Sequence, residues 1–523
     1  MKKILSLCLI LLSIQQVHAQ LTWSFPPTTI SSSGVNSSNV EVGMDANGNG
    51  VAIWLENGFV KTSSLPLGGS WSGLTVLSNS GATAPQLAVD PAGNSTAIWL
   101  EGSTLKTAVS PVGGSWGAAT TLDSSGASAP QIAADASGDL VAIWVSSGAI
   151  KSSTKASGGS WQAIADLLAL IGTSPQVSIG ANQTVYAVWH ANNPISDMDA
   201  VYAVSKTIGG SWGSAVAVSN PNQNCNYPNI TVDGSGNATA VWFSYNEIGS
   251  QYIDVIVQAA QFITTNFTWT APVNISYSGI ANPANLSLCI DCSSIGNVLA
   301  LWTNCLDGEN FVVETASIGL NSQWTAPLDL FVDPYAFSAN IGMAADGNAT
   351  VVSMISVSSG SLISIQSAET NLGSLQTGNW ENFTILSNGS NNGYPKVAVV
   401  NMGTTTRNGV AAWESYDGSN TVINAVQTSA ALLQAPTNLT VTQASTNFNV
   451  YTDYYNTISW LASASPAASG YLIYRNNMLI GQVNSTQTQF IDHNQIQNGS
   501  VTYGVSTVDS TFEQSIVSFI SFP

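Results

Sequence analysis

The chain has 523 residues, of which only 7% are charged, alongside 45 glycines and 19 prolines. So few charges with so many turn formers exclude a charge-rich helical protein and favour an all-β one. The formal net charge of −19 becomes −21 if Lys2 and Lys3 leave with a leader, a surface that repels nucleic acid and anionic membrane.

The chain opens "MKKILSLCLILLSIQQVHAQ", with two lysines, an apolar run from Ile4 to Ile14 and small-residue cleavage text at Val17–Ala19. That reads as a signal peptide over 1–19, with a mature chain starting near Gln20 and exported to the periplasm, cell surface or medium. Cys8 follows Leu7 rather than a small residue, which argues against a lipoprotein anchor. No later stretch has the ~18 uninterrupted apolar residues of a membrane span, so no transmembrane segment is expected.

From there a repeat organises the chain. "QLAVDPAGNSTAIWLEGSTLKTAVSPVGGSWGAATTLDSSGASAP" runs from Gln86 to Pro130, and a close copy follows from Gln131 to Pro175. Trp54, Trp99, Trp144 and Trp189 are each 45 residues apart, and degenerate copies continue at Trp242, Trp302 and Trp413, with Met354 at the seventh site. A second series comprises Trp71, Trp116, Trp161, Trp212, Trp269, Trp324 and Trp380, and Trp23 stands before the first complete copy.

Each copy reads as four short strands separated by turns such as "DPAGN", "EGS" and "SPVGG", the pattern of a β-propeller blade. The last copy lacks its second half, and Trp23 is a second half without a copy before it. Joining the two gives an eight-bladed β-propeller over 20–430 closed by an N-terminal strand, which removes the open edge of a linear array. Seven blades is the alternative, because the seventh copy is the most eroded. With its "PQ-A-D-GN-AIW" text the region resembles bacterial exported β-propeller repeat proteins, a resemblance that implies architecture but no set activity.

After a linker at 431–436, residues 437–523 show seven short strands, including "NTISWLAS", "GYLIYRNN" and "GSVTYGVSTVDS". This part resembles a fibronectin type III β-sandwich, which implies Trp460 as its core tryptophan and Tyr503 as its corner tyrosine. Such modules space or attach other domains.

Several signals bear on chemistry. "DANGNGVAIWLE", from Asp45 to Glu56, satisfies the D-x-N-x-N-G-x5-E pattern of a calcium loop. Sister copies keep only Asp-x-x-Gly followed by Asn or Asp, so the text is expected to be a hairpin turn. Weak calcium binding by Asp45, Asn47 and Asn49 is the remaining metal expectation, and no other cofactor is expected. Cys225, Cys289, Cys292 and Cys305 are disulfide candidates in an oxidising compartment. "GGSWG" at Gly113–Gly117 and Gly209–Gly213 matches a nucleophile elbow but lacks its strand–turn–helix setting and a partnered histidine. A sialidase needs an arginine triad, and this chain has only Arg407 and Arg475.

Acids that follow the second strand of several copies (Glu56, Glu101, Asp197, Asp199, Glu247, Asp307, Glu309 and Glu414) suit either a solvated rim or paired carboxylates of a polysaccharide hydrolase or lyase. Copies four to six lengthen, with tryptophan spacings of 53 and 60 in place of 45. Insertions in a repeat array tend to fall on its binding face. The expectation is therefore a non-catalytic binding or adhesion protein that recognises a glycan or an extracellular protein. The candidate contacts are His190, Tyr202, Tyr245, Glu247, Tyr252, Asp307, Glu309 and Phe311. The alternative is the polysaccharide-active hydrolase or lyase using carboxylates on that face.

Overall fold

Alternating strands joined by Gly and Asn turns bury backbone polar groups only by pairing with one another, and the chain does so throughout. The computed structural model describes residues 21 and 23–522, apart from 169–171, 249–250, 266, 280–286, 306–310, 320–321, 334–335, 337, 358–361, 371–379, 388–390, 403–405, 429–435, 449–450, 464–467, 477, 498 and 509–517. The leader expectation at 1–19 and all of the linker except Pro436 lie outside the described residues. The described residues are all-β, with no helix, and divide into two units, one of them Leu21–Ala430.

That unit holds eight small antiparallel sheets. The first three are alike: Ser37–Met44, Gly50–Glu56, Phe59–Leu65 and Thr75–Val76; Ala82–Val89, Ser95–Glu101, Thr104–Ser110 and Thr120–Asp123; Ala127–Ala134, Leu140–Ser146, Ala149–Lys155 and Ala165–Leu168. The fourth has Gly172–Ile179, Thr184–Asn193, Met198–Thr207 and Val216–Ala217. In the fifth, Asn224–Val232, Ala238–Ile248 and Gln251–Ile263 are followed by Thr268–Trp269 and Val273–Asn274, both paired to the third strand. The sixth is Leu288–Cys292, Val298–Cys305, Phe311–Ile318 and Leu328–Asp333; the seventh is Ala339–Met343, Ala349–Val357, Leu362–Thr370 and Glu381–Ile385.

The eighth sheet joins the two ends of the unit. Asn392–Met402, Thr406–Tyr416 and Thr421–Gln427 receive Thr28–Thr29 as their outer strand, with Thr28 opposite Ala425. Ser24 N donates to Gln427 O at 2.7 Å and Ile30 N to Ile423 O at 2.9 Å. First strands of successive sheets lie against one another, and the first strand of the first sheet meets that of the eighth. The sheets thus form a closed circuit. Lys396 and Glu41 pair across the closing contact at 2.8 Å, and Asn408 donates to Gly48 O at 2.9 Å.

Register gives every sheet two ends. In the first, Met44 pairs with Gly50 beside the Asp45 turn, while Ser37 pairs with Glu56 beside the Asn57–Gly58 turn. We refer to these as the hairpin end and the loop end. Asn57 and Gly58 have φ of 51° and 77°, the left-handed pair that a two-residue turn requires.

Second strands such as Gly50–Glu56 carry an unbroken apolar run because sheets cover both of their faces. Trp99 packs with Ile53 and Val60 of the preceding sheet, and Trp54 packs with Ala412 and Ile423 of the eighth. The first tryptophan series thus packs between neighbouring sheets. Trp71 and Trp116 of the second series cover these clusters from the segments that lead into the outer strands.

The second unit takes in residues 436–522 of the described chain. Its seven strands form two sheets: Thr437–Asn447, Thr452–Leu461 and Gln489–Gln495 in one, and Met478–Asn484, Gly470–Arg475, Val501–Val508 and Ser518–Phe522 in the other. Trp460, Tyr471 and Tyr503 are buried together between them. The Tyr503 hydroxyl donates to Asp492 at 2.6 Å and accepts from Asn456 at 3.1 Å.

Candidate functional site

The core tryptophans explain several acids that suggested chemistry. A buried indole N–H needs an acceptor. Trp54 donates to Glu56 at 3.1 Å, and Trp99 to Glu101 at 3.1 Å. Where Ser146 replaces that glutamate, Asp123 of the outer strand accepts from Trp144 at 2.7 Å. Gln258 serves Trp242, Glu314 serves Trp302 and Asn392 serves Trp413, at 3.2, 2.7 and 2.9 Å. One requirement is met from several positions.

Burial works against the Glu56 charge, but Lys61, Ser32 and Trp54 outweigh it and hold the carboxyl below its ordinary range. The same balance, with Asn79 as the main donor, lowers Glu101. Glu414 accepts from Asn39 N at 2.8 Å and is pushed up by burial. These three acids are structural acceptors rather than a solvated rim.

The lengthened copies do not form slack loops. In the fourth sheet the second and third strands have ten residues each, pairing out to Asn193 and Met198; in the fifth they have 11 and 13, pairing out to Ile248 and Gln251. The corresponding strands of the first three sheets have seven. Two neighbouring hairpins therefore extend past the loop end. Ile195, at the turn of the first, is 95% exposed.

At the base of these hairpins lies an aromatic pair. Tyr227 is 42% exposed and meets the His190 ring edge-on, with centroids 6.2 Å apart. His190 Nε2 is 2.7 Å from Thr173 Oγ1, its Nδ1 is buried without a partner, and burial lowers its pKa, with Asp199 opposing. Tyr227 has φ of 48° at a bulge in its first strand. Asn39, Ala84, Ala129, Ser174 and Tyr394 adopt the same left-handed conformation at the same bulge, at 53, 48, 46, 50 and 49°. A bulge re-aims side chains at a strand end, here toward the loop end. Tyr227 escaped the sequence analysis, yet "NYPN" falls where other copies read "TAPQ", "SAPQ" and "TSPQ". An aromatic in place of alanine or serine was the available signal.

The other expected contacts separate. Tyr202 is buried and stacks on Trp189 with centroids 6.2 Å apart, and Tyr245 is buried in the core between the fifth and sixth sheets. Both are corrections: each tyrosine lies on an inner strand whose two faces are both covered by neighbouring sheets, so either face is buried. Phe311 is half-buried and packs on the core between the sixth and seventh sheets. Glu247 is exposed and its backbone pairs with that of Tyr252, whose side chain lies outside the description, as do Asp307 and Glu309.

The residues of the calcium expectation form the first hairpin-end turn. Asp45 Oδ1 accepts from Asn47 N at 2.9 Å and Asn49 N at 2.8 Å, while Oδ2 accepts from Asn49 Nδ2 at 2.7 Å. Asn49 Oδ1 accepts from Leu67 N at 2.9 Å. Asn47 contributes its backbone N–H. N–H donors thus reach both Asp45 oxygens and the Asn49 oxygen.

Cys225, Cys289 and Cys292 are free thiols, which corrects their disulfide assignment. Three residues apart on one strand, Cys289 and Cys292 point to opposite faces. Cys289 packs toward the seventh sheet, and Cys292 accepts from Thr231 Oγ1 at 3.0 Å on the other side. The Cys305 side chain lies outside the described residues. Between these cysteines, Asp291 accepts from Met343 N at 2.8 Å, and burial pushes its carboxyl up to about 6.

No family model matches the chain, and no curated protein matches it. Among solved structures, the WD40 domain of SCAP from fission yeast is similar over 78% of this chain and 94% of its own, at 11% identity and a TM-score of 0.47. A protein of unknown function from Dyadobacter fermentans is similar over 77% and 97%, at 12% identity and a TM-score of 0.39. A leech intramolecular trans-sialidase is similar over 76% and 91%, at 7% identity and a TM-score of 0.37. No functional conclusion rests on these likenesses.

Proposed function

We propose that residues 20–430 form an eight-bladed β-propeller closed by its N-terminal strand, that residues 437–523 form a fibronectin type III domain, and that the exported chain binds a glycan or an extracellular protein without turning it over. The two adjacent hairpin extensions, with Tyr227 and His190 at their base, carry this reading. An exposed aromatic ring beside an imidazole suits stacking on a sugar or a partner's apolar side chain. Hairpins held by paired backbone present that surface with little ordering cost on binding. A hydrolase or lyase is less favoured, because Glu56, Glu101 and Glu414 are committed to structural donors and unavailable as acid or base.

The test is a glycan array with a parallel pull-down of extracellular proteins, using the full chain, a Tyr227→Ala variant and a variant with 246–252 shortened to a two-residue turn. A ligand is expected whose affinity falls about tenfold or more in Tyr227→Ala, the loss typical of an aromatic anchor. A ligand bound equally by all three proteins, or turnover of a polysaccharide, would overturn the reading.

A further inference from the structure

In three sheets the hairpin-end turn is locked by one aspartate and one asparagine. Asn49 Nδ2 donates to Asp45 Oδ2 at 2.7 Å, Asn94 Nδ2 to Asp90 Oδ2 at 2.7 Å and Asn237 Nδ2 to Asp233 Oδ2 at 2.9 Å. In each, the asparagine Oδ1 accepts a backbone N–H from the segment after the third strand: Leu67 at 2.9 Å, Val112 at 3.1 Å and Thr264 at 3.0 Å.

The third sheet keeps this frame but changes one atom. Ser137 N and Asp139 N donate to Asp135 Oδ1 at 2.8 and 2.9 Å, and Ser157 N donates to Asp139 Oδ1 at 2.8 Å. Asp139 occupies the asparagine position, so its Oδ2 stands where the sister copies place the donating nitrogen. Asp135 Oδ2 is accordingly buried without a hydrogen-bond partner. Asp135 is 4% exposed and Asp139 is 6% exposed. Among the described residues, neither forms an ion pair with a lysine or arginine. The one further donor is Gln183 Nε2, 3.3 Å from Asp139 Oδ2. Gln183 holds the left-handed position, at φ 61°, that glycine keeps in six other copies, and from there its side chain reaches back to the third sheet.

We propose that Asp135 and Asp139 hold a hard divalent cation of the calcium class between their facing Oδ2 atoms. Two carboxylate oxygens brought together out of water without a donor between them repel, and a cation replaces the missing amide. Calcium suits the place because it takes carboxylate and neutral oxygens in irregular geometry, with water completing the shell. The surroundings are rich in oxygen: Asp90 Oδ2 and Ser157 Oγ lie 2.8 and 2.9 Å from the point a Cβ on Gly138 would occupy. A turn of the Gln183 amide would bring its oxygen to the same ion. No group of three or more His, Cys, Asp or Glu suited to a metal occurs among the described residues, so the affinity belongs to the weak extracellular class, on the order of 0.1–1 mM.

The measurement is thermal unfolding of the full chain at constant pH in calcium chloride against EDTA. The wild-type propeller transition is expected to rise with calcium, by roughly 1–2 °C for each tenfold excess over the dissociation constant in a domain of this size. Asp139→Asn restores the sister-copy bond, so it should fold, lose the calcium response and melt above the wild type in EDTA. A wild-type transition indifferent to calcium overturns the proposal. A calcium response that survives Asp139→Asn overturns it too.

Discussion

The indole N–H of a core tryptophan is a small requirement with wide consequences. Glu56, Glu101, Asp123, Gln258, Glu314 and Asn392 differ in type and strand, yet each ends at the same kind of donor. Removing one acceptor leaves a buried donor unpaired, which costs about 1–3 kcal/mol. Asp123→Ala is therefore expected to destabilise the eight-sheet unit by that amount in chemical denaturation. Asp123→Asn, which keeps an oxygen for Trp144, should cost less. Asp291 makes the opposite case. Its folded carboxyl titrates at about 6, above its ordinary 3.8, so the native state holds the extra proton between those values. Stability thus falls as pH rises from about 4 through 6. Asp291→Asn, which carries no titrating proton, should flatten that slope in chemical denaturation followed from pH 4 to 7, while one of the two backbone donors to Asp291, Cys292 N or Met343 N, loses its acceptor.

Among the elements, the paired hairpins of the fourth and fifth sheets distinguish one part of the circuit from the rest. Their added residues extend the strand pairing, without a break in the fourth sheet and past a bulge between Ser244 and Asn246 in the fifth, where Asn246 lies opposite Ile253 and Glu247 opposite Tyr252. Shortening 246–252 to a two-residue turn returns the fifth sheet toward the seven-residue strands of the first three. The variant is expected to keep the wild-type melting transition while losing the ligand, as differential scanning calorimetry beside the binding assay would check. The tyrosines show why the sequence was only partly legible here. Tyr202 and Tyr227 both lie near the insertions, but Tyr202 sits on an inner strand covered on both faces, whereas Tyr227 sits at a bulge, at φ 48°, at the end of a first strand and is exposed. No composition rule separates them.

For the eight-sheet unit as a whole, closure is the dominant device. Leu21 and Trp23, only 3% and 8% exposed, pack with Met354, Trp413 and Val426, and Thr28–Thr29 cover what would otherwise be an open edge. Trp23→Ala is expected to cost about 3–5 kcal/mol, the range for truncating a buried aromatic. Removing residues 21–30 should additionally expose the Thr421–Gln427 strand and promote association, visible by size-exclusion chromatography. The 45-residue period, the turn chemistry and the half-repeat at each end already determined the repeated four-stranded sheets and the joining of Trp23 to the last copy. Those features are local or periodic, and strand pairing follows from them directly. Tertiary structure alone decided which polar groups are free to act. The Asp45 turn proved saturated by N–H donors, whereas the third-sheet turn, with Asp139 in the asparagine position, leaves an oxygen of Asp135 unpaired. Whether a carboxylate is occupied depends on donors that folding brings from distant positions, and no short stretch of sequence records them.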